Sequence, residues 1–190
     1  MYLITPLKNE DIRKLRVGDI VYLSGKVYTA RDKAHMRALA EGRFPADLNG
    51  GAIFHCGPLM KKEGGKWHVV SIGPTTSSRM NFLTPAFIEK FKVAAVIGKG
   101  GMDKRVAKAM KGRAVYLSMT GGCAASTAKQ VKEVLGVSWL DLGMPEAVWT
   151  LDVEKMGPLV VAIDSLGNSL YEDVGKKADA RLKEIVKGLK

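Results

Sequence analysis

The stretch VAAVIGKGGMDKRVAKAMKGRAVYLSMTGGCAAS, residues 93–126, decides the fold. Residues 93–97 form an uninterrupted apolar run, Gly98-Lys99-Gly100-Gly101 forms a turn, and residues 103–110 read as a helix opened by an aspartate. The order then repeats. Residues 114–117 are apolar, Thr120-Gly121-Gly122 turns the chain, and a helix is predicted over residues 124–135, with a further strand at 137–140. Strand, glycine turn and helix in alternation is the signature of a parallel α/β sheet whose two faces are both covered. Right-handed crossovers then restrict the topology.

Upstream, the reading gives a short extended lead, a helix at 9–15, strand character over 20–28, a helix at 32–41 and a loop over 42–51. Residues 52–56 and 67–72 read as short strands, each running into a Gly-Pro turn (Gly57-Pro58 and Gly73-Pro74), with an exposed turn expected over 61–66. The two Gly-Pro turns are expected to be neighbours. Thr84 and Pro85 open a helix that presents Phe87, Ile88 and Phe91 on one face. Downstream, strands are expected at 147–153 and 159–163, a turn at 164–168, and a returning segment at 169–171. Val174, Ala178, Leu182, Ile185 and Leu189 recur at helical spacing, which predicts a terminal amphipathic helix over about 174–189, docked on its own sheet. All 190 residues are read as one domain.

The chain is 46% hydrophobic and 26% charged, a balance that excludes a disordered polymer. Its formal net charge of +11 suits an acidic partner, small anions or nucleic acid, or else a basic solvated surface. No nucleic-acid motif accompanies the charge. Cys56 and Cys123 are far apart and lack a Cys-x-x-Cys companion, so the chain encodes neither a zinc knuckle nor a self-contained iron-sulfur site. The N-terminus turns polar too early for a secretory signal and no apolar run is long enough to span a bilayer, so a cytoplasmic protein with reduced thiols and no membrane association is expected.

Four constellations could carry chemistry. At Gly98-Lys99-Gly100-Gly101 a strand hands over to a helix, so backbone amides, the helix N-terminus and the Lys99 ammonium could hold an anion; a tight turn with no ligand is the alternative. Gly73-Pro74-Thr75-Thr76-Ser77-Ser78-Arg79 concentrates four hydroxyls and a guanidinium that can grip a carboxylate through two hydrogen bonds, though such runs also serve as turns. Arg31 and His35 are four residues apart and would share a helix face, with Asp32 able to orient one of them. Thr120-Gly121-Gly122-Cys123 repeats the anion-turn theme, and a helix start there could lower the Cys123 thiol pKa. No histidine is placed to make it a nucleophile. Glu146, after Met144-Pro145, is a candidate acid or a plain surface carboxylate, while His55 and His68 sit in strand-like runs and read as structural.

In these segments the chain resembles the beta subunit, equivalent to the C-terminal domain, of class I fumarases and the related L(+)-tartrate dehydratases. The resemblance rests on Tyr28-Thr29-Ala30-Arg31-Asp32-x-Ala34-His35, Gly57-Pro58, Gly73-Pro74-Thr75-Thr76-x-x-Arg79-Met80, Gly98-Lys99-Gly100-Gly101-Met102 and Thr120-Gly121-Gly122, in that order. It implies a swivelling β/β/α domain with a mostly parallel central sheet and flanking helices. It also implies a partner alpha subunit carrying a 4Fe-4S cluster, with no cofactor held by this chain alone, in an assembly containing two copies of each chain. By the same resemblance Arg31, Thr76, Arg79 and Lys99 would clamp a dicarboxylate and Thr75 would abstract a proton, supported by Asp32, His35, Gly98, Gly100, Thr120 and Gly121. The activity implied is reversible dehydration of (S)-malate to fumarate, with tartrate dehydration as the alternative and a stand-alone anion- or nucleic-acid-binding module behind both. Asn81 stands where the family is expected to carry aspartate.

Overall fold

The computed structural model describes residues 1–188; Leu189, the last member of the apolar stripe, lies outside them. Its strands are β1 (Tyr2–Ile4), β2 (Ile20–Thr29), β3 (Ala52–Phe54), β4 (Leu59–Glu63), β5 (Lys66–Ser71), β6 (Ala95–Gly98), β7 (Val115–Ser118), β8 (Val131–Ser138) and β9 (Val148–Ile163). The helices are α1 (Asn9–Lys14), α2 (Asp32–Glu41), α3 (Thr84–Phe91), α4 (Lys104–Met110), α5 (Ala124–Ala128) and α6 (Leu170–Gly188).

The central sheet runs β1-β2-β3-β6-β7-β9-β8. Its first five strands are parallel, and β9 runs antiparallel to both β7 and β8. The long β9 also pairs along β2, from Ile20↔Val160 to Tyr28↔Thr150, so β2, β3, β6, β7 and β9 close on one another. The alternation of side chains along each strand sorts them into two cores. Phe54, Ile97, Leu117 and Val161, partners in register, fill one with Trp149 and Leu151. Ile53, Val96 and Tyr116 face the other, where Ala34 and Ala38 of α2, Phe87 and Ile88 of α3, and Val106 and Met110 of α4 cover them. This is the α/β arrangement expected, a mostly parallel sheet with flanking helices.

Several element boundaries differ from expectation. The helix predicted to reach Leu135 stops at Ala128, and residues 131–138 are strand β8. Val131, Val134 and Val137 satisfy a helical spacing, but β-branched residues favour the ladder that β9 offers. Gln130 fixes the switch, its Nε2 donating to the Gly157 carbonyl at 2.7 Å and its Oε1 accepting from the Gly157 N–H at 3.2 Å. The two strands expected at 147–153 and 159–163 are one strand, because β2 pairs with β9 at Val153, Met156 and Leu159 and so carries it through Lys155-Met156-Gly157. The turn expected at 61–66 is a hairpin, with β4 and β5 joined at Gly64-Gly65.

The terminal helix begins at Leu170, so residues 169–171 do not return as a strand; only a single bridge, Ile163↔Ser169, forms there. Nor does the helix dock. Val174, Leu182, Ile185 and Val186 are all about half exposed, because the sheet faces are already occupied and only the first turn of α6 meets the body. No helix among the described residues is long and apolar enough to cross a membrane.

Candidate active site

The parallel strands β2, β3, β6 and β7 end on one side of the sheet, where ligands of open α/β sheets are bound. The hydroxyl-rich segment after β5 is laid into this edge as an extra strand. The Thr75 N–H donates to the His55 carbonyl at 2.7 Å, the Lys99 N–H donates to the Thr75 carbonyl at 3.1 Å, and the Ser77 N–H donates to the Lys99 carbonyl at 3.0 Å. A bridge between Cys56 and Pro74 makes the two Gly-Pro turns neighbours, as expected. Gly98 lies beneath this segment. A Cβ there would fall 1.9 Å from Ser77 Oγ, so close approach of the two backbones demands glycine.

Between the turns that follow β6 and β7 opens a cleft of about 400 Å³, lined by Thr76, Lys99, Gly100, Ser118, Thr120, Gly121 and Tyr171. Five of the anticipated residues therefore converge: Thr76, Lys99, Gly100, Thr120 and Gly121. The Lys99 ammonium lies beside Gly121, and among the described residues no carboxylate pairs with it. An ammonium among hydroxyls and glycine backbone has the donors that an anionic oxygen accepts from. The Tyr116 hydroxyl supports the floor from below by donating to the Gly100 carbonyl at 2.8 Å, and burial pushes its phenol well above its usual pKa.

Arg31 and Arg79 stand outside the cleft lining, each beside an acid. Arg31 is the residue before α2; its Nε sits 3.2 Å from Glu146 Oε1, a contact too poorly angled to count as a hydrogen bond, while Glu146 Oε2 accepts the Lys33 N–H at 3.0 Å. Gly57 makes room for that guanidinium, since a Cβ there would meet Arg31 Nη1 at 2.6 Å. Arg79, in a short 3-10 turn, donates to Asp32 Oδ2 at 2.7 Å and is half exposed. Asp32 follows Arg31 in the chain, so the Arg79–Asp32 pair brings both arginines to the same end of α2.

His35 does not share a working face with Arg31. It is buried, its Nδ1 lies 2.8 Å from the Arg31 carbonyl, and burial drives its pKa down to about 4. Its ring makes a T-shaped contact with that of His55, centroids 5.2 Å apart. His55 Nδ1 lies 2.9 Å from Ser77 Oγ, and burial followed by the nearness of His35 holds it well below the ordinary histidine range. Both imidazoles are neutral packing groups: His55 backs the Thr75–Ser77 segment, and His35 packs behind His55 against Phe87. Asn81 Oδ1 accepts the Asp103 N–H at 3.2 Å, an acceptor role that an aspartate would also fill.

The thiols fit no cluster site. Cys56 is buried, which pushes its pKa well up, and Cys123 Sγ points at the Thr120 carbonyl, 2.9 Å away. Among the described residues no group of three or more His, Cys, Asp or Glu is placed to hold a metal ion. Sequence reasoning places Ser118 at the head of the Thr120-Gly121-Gly122 turn but gives it no role of its own, passes over Tyr171 in the cleft and leaves Glu146 without its place beside Arg31; the last two are brought in by contacts long in sequence, for which no local pattern exists.

Residues 2–174 match the family model described as fumarase C-terminus. The chain belongs to that family. It is 50% identical to a Methanocaldococcus jannaschii protein provisionally named L(+)-tartrate dehydratase subunit beta, over 97% of this chain and 98% of that one. The L(+)-tartrate dehydratase subunit beta of Escherichia coli K12 is 45% identical, covering 97% of this chain and 92% of the relative. A Geobacillus stearothermophilus protein provisionally named class I fumarate hydratase is 44% identical over 95% of this chain, which spans 35% of its length.

Proposed function

We propose that this chain is the beta subunit of a hydro-lyase that dehydrates a C4 hydroxydicarboxylate, with L(+)-tartrate as substrate and oxaloacetate as product, and that it works only when joined to an alpha subunit. The observation that carries this reading is the Lys99 ammonium in a hydroxyl-lined cleft, with no carboxylate partner among the described residues, while Arg31 and Arg79 outside the cleft lining are already held by Glu146 and Asp32. The preference for tartrate rests on the relatives of that name, which match this chain from end to end. Lys99 and Thr76 take one carboxylate inside the cleft, and Arg31 and Arg79 take the other at the rim, leaving their present acids as the sites close together. Guanidinium forks suit that task because they grip both oxygens of a carboxylate.

Thr75 removes the proton from the carbon next to the one that loses hydroxide. A threonine hydroxyl is a poor base in water, so its alkoxide needs the cationic, water-excluded surroundings that Lys99 and Arg79 supply on closure. The backbone of Thr75 is pinned on both sides, by the His55 carbonyl and the Lys99 N–H, which fixes where its side chain begins. An iron-sulfur cluster on the alpha subunit would contribute Lewis acidity toward the departing hydroxyl. The half-exposed apolar stripe of α6 and the basic charge of +11 belong with an assembly that joins subunits and draws in dianions.

Malate dehydration is the second reading, favoured by the 44% identity to the Geobacillus protein. Anaerobic co-expression with the alpha subunit, followed by matched L-tartrate and L-malate assays, separates the two. Faster tartrate turnover by the complex, and none by this chain alone, is the expected result; faster malate turnover moves the assignment to a fumarase. An intact cluster-loaded complex that turns over neither rejects both.

A further inference from the structure

Tyr171 occupies a position that the proposed chemistry has not used. It lies in the first turn of α6, and its ring packs onto Gly101, where a Cβ would stand 2.8 Å from the ring. Its hydroxyl sits 3.2 Å from Ser118 Oγ at the end of β7, and both side chains line the cleft that holds Lys99. Tyr116, directly beneath, donates its own proton to the Gly100 carbonyl, and its oxygen is a second acceptor within reach of Ser118. The Tyr171–Ser118 pair shares one hydrogen bond, which leaves one O–H, to be shared between the Tyr116 oxygen and a ligand, and free lone pairs.

We propose that the Tyr171–Ser118 hydroxyl pair recognises an alcohol group on the substrate and so selects a dihydroxy over a monohydroxy dicarboxylate. This rests on the hydro-lyase reading above. An uncharged pair that can donate and accept together complements an alcohol, whereas the carboxylates are drawn to Lys99 and the arginines. The two acids differ at the carbon that loses its proton: tartrate carries a hydroxyl there and malate a second hydrogen. Groups that bond a substrate hydroxyl in a closed site discriminate against a substrate that lacks it, because they are then left unpaired. The first turn of α6 thereby becomes a specificity element rather than a mere support for the exposed helix.

The test uses the cluster-loaded complex carrying wild-type, Tyr171→Phe or Ser118→Ala beta subunit, with kcat/KM measured for L-tartrate and L-malate. Each substitution is expected to lower the tartrate-to-malate ratio of kcat/KM by roughly tenfold, the effect of one lost hydrogen bond. Should Tyr171→Phe weaken assembly, Ser118→Ala reports on the same pair from the end of a central strand. An unchanged ratio in an active complex, or an equal fall for both substrates, overturns the inference while the functional reading stands. A wild-type complex active on malate alone overturns it too, and an intact complex inactive on both rejects the functional reading with it.

Discussion

Replacing Gly98 by alanine probes how the hydroxyl segment is seated. The new Cβ would fall 1.9 Å from Ser77 Oγ and 3.3 Å from His55 Cβ, so the extra strand that carries Thr75 and Thr76 has to lift. Overpacking of this kind costs about 1–3 kcal/mol, and loss of the His55–Ser77 hydrogen bond adds about 0.5–1.5 kcal/mol. The sum is about 1.5–4.5 kcal/mol. For a domain of this size each kcal/mol moves Tm by about 2–4 °C, so a fall of roughly 3–18 °C is expected in thermal melts of the purified chain. Ser77→Ala alone removes the partner of His55 Nδ1 and costs about 1–3 kcal/mol. It also removes the atom that the added methyl group would strike. The double variant should therefore be more stable than the summed singles imply by about 1–2 kcal/mol. Additivity within about 0.5 kcal/mol, or a Gly98→Ala Tm within about 2 °C of wild type, would refute the seating described.

The buried histidines set a pH dependence. His35, held at about 4, and His55, lower than usual, stay neutral in the folded protein while unfolded histidines titrate near 6.5, so stability present above that pH is lost as pH falls toward 4. The loss is about 1.4 kcal/mol per pH unit for each histidine, and urea melts at pH 7 and pH 5 that coincide would contradict it. Glu146→Gln removes the acid that holds Arg31 in the free chain and that Arg31 leaves to take substrate; in the assembled enzyme it should lower KM about threefold with a smaller effect on kcat, and a raised KM would show that Glu146 stays with Arg31 in the closed site. Thr75→Ala should abolish turnover while leaving tartrate affinity within about threefold by calorimetry, and near-normal turnover would remove Thr75 as the base. Leu182→Glu with Ile185→Glu, both on the exposed stripe of α6, should change the stability of the isolated chain by less than about 0.5 kcal/mol; a loss of about 2 kcal/mol or more would mean that the helix docks on the body.

What could be read locally was read from short-range chemistry. The 32–41 helix is found with those bounds, and the strand–glycine turn–helix unit around Gly98 is found because a continuous apolar run, a glycine cluster and a capping aspartate are each local signals. Lys99, Gly100, Thr120 and Gly121 were legible for the same reason, since turns after buried parallel strands must reach one edge of the sheet. Residues 131–138 misled because valines every third residue fit helix and strand alike, and only the pairing with β9 decides between them. The continuity of β9 through Gly157-Pro158 likewise depends on β2, more than a hundred residues away. The placing of Tyr171 against Ser118, of Glu146 beside Arg31, and of His35 behind His55 all arise from tertiary closure.

The account stands most directly on a titration of this chain into cluster-loaded alpha subunit under anaerobic conditions, with tartrate turnover as the readout. The wild-type chain should raise turnover from zero to a stoichiometric plateau, and a Lys99→Ala chain should assemble equally well and restore almost none of it. An alpha subunit active without this chain, or full turnover restored by the Lys99→Ala chain, would contradict the claim that this cleft supplies half of the active site.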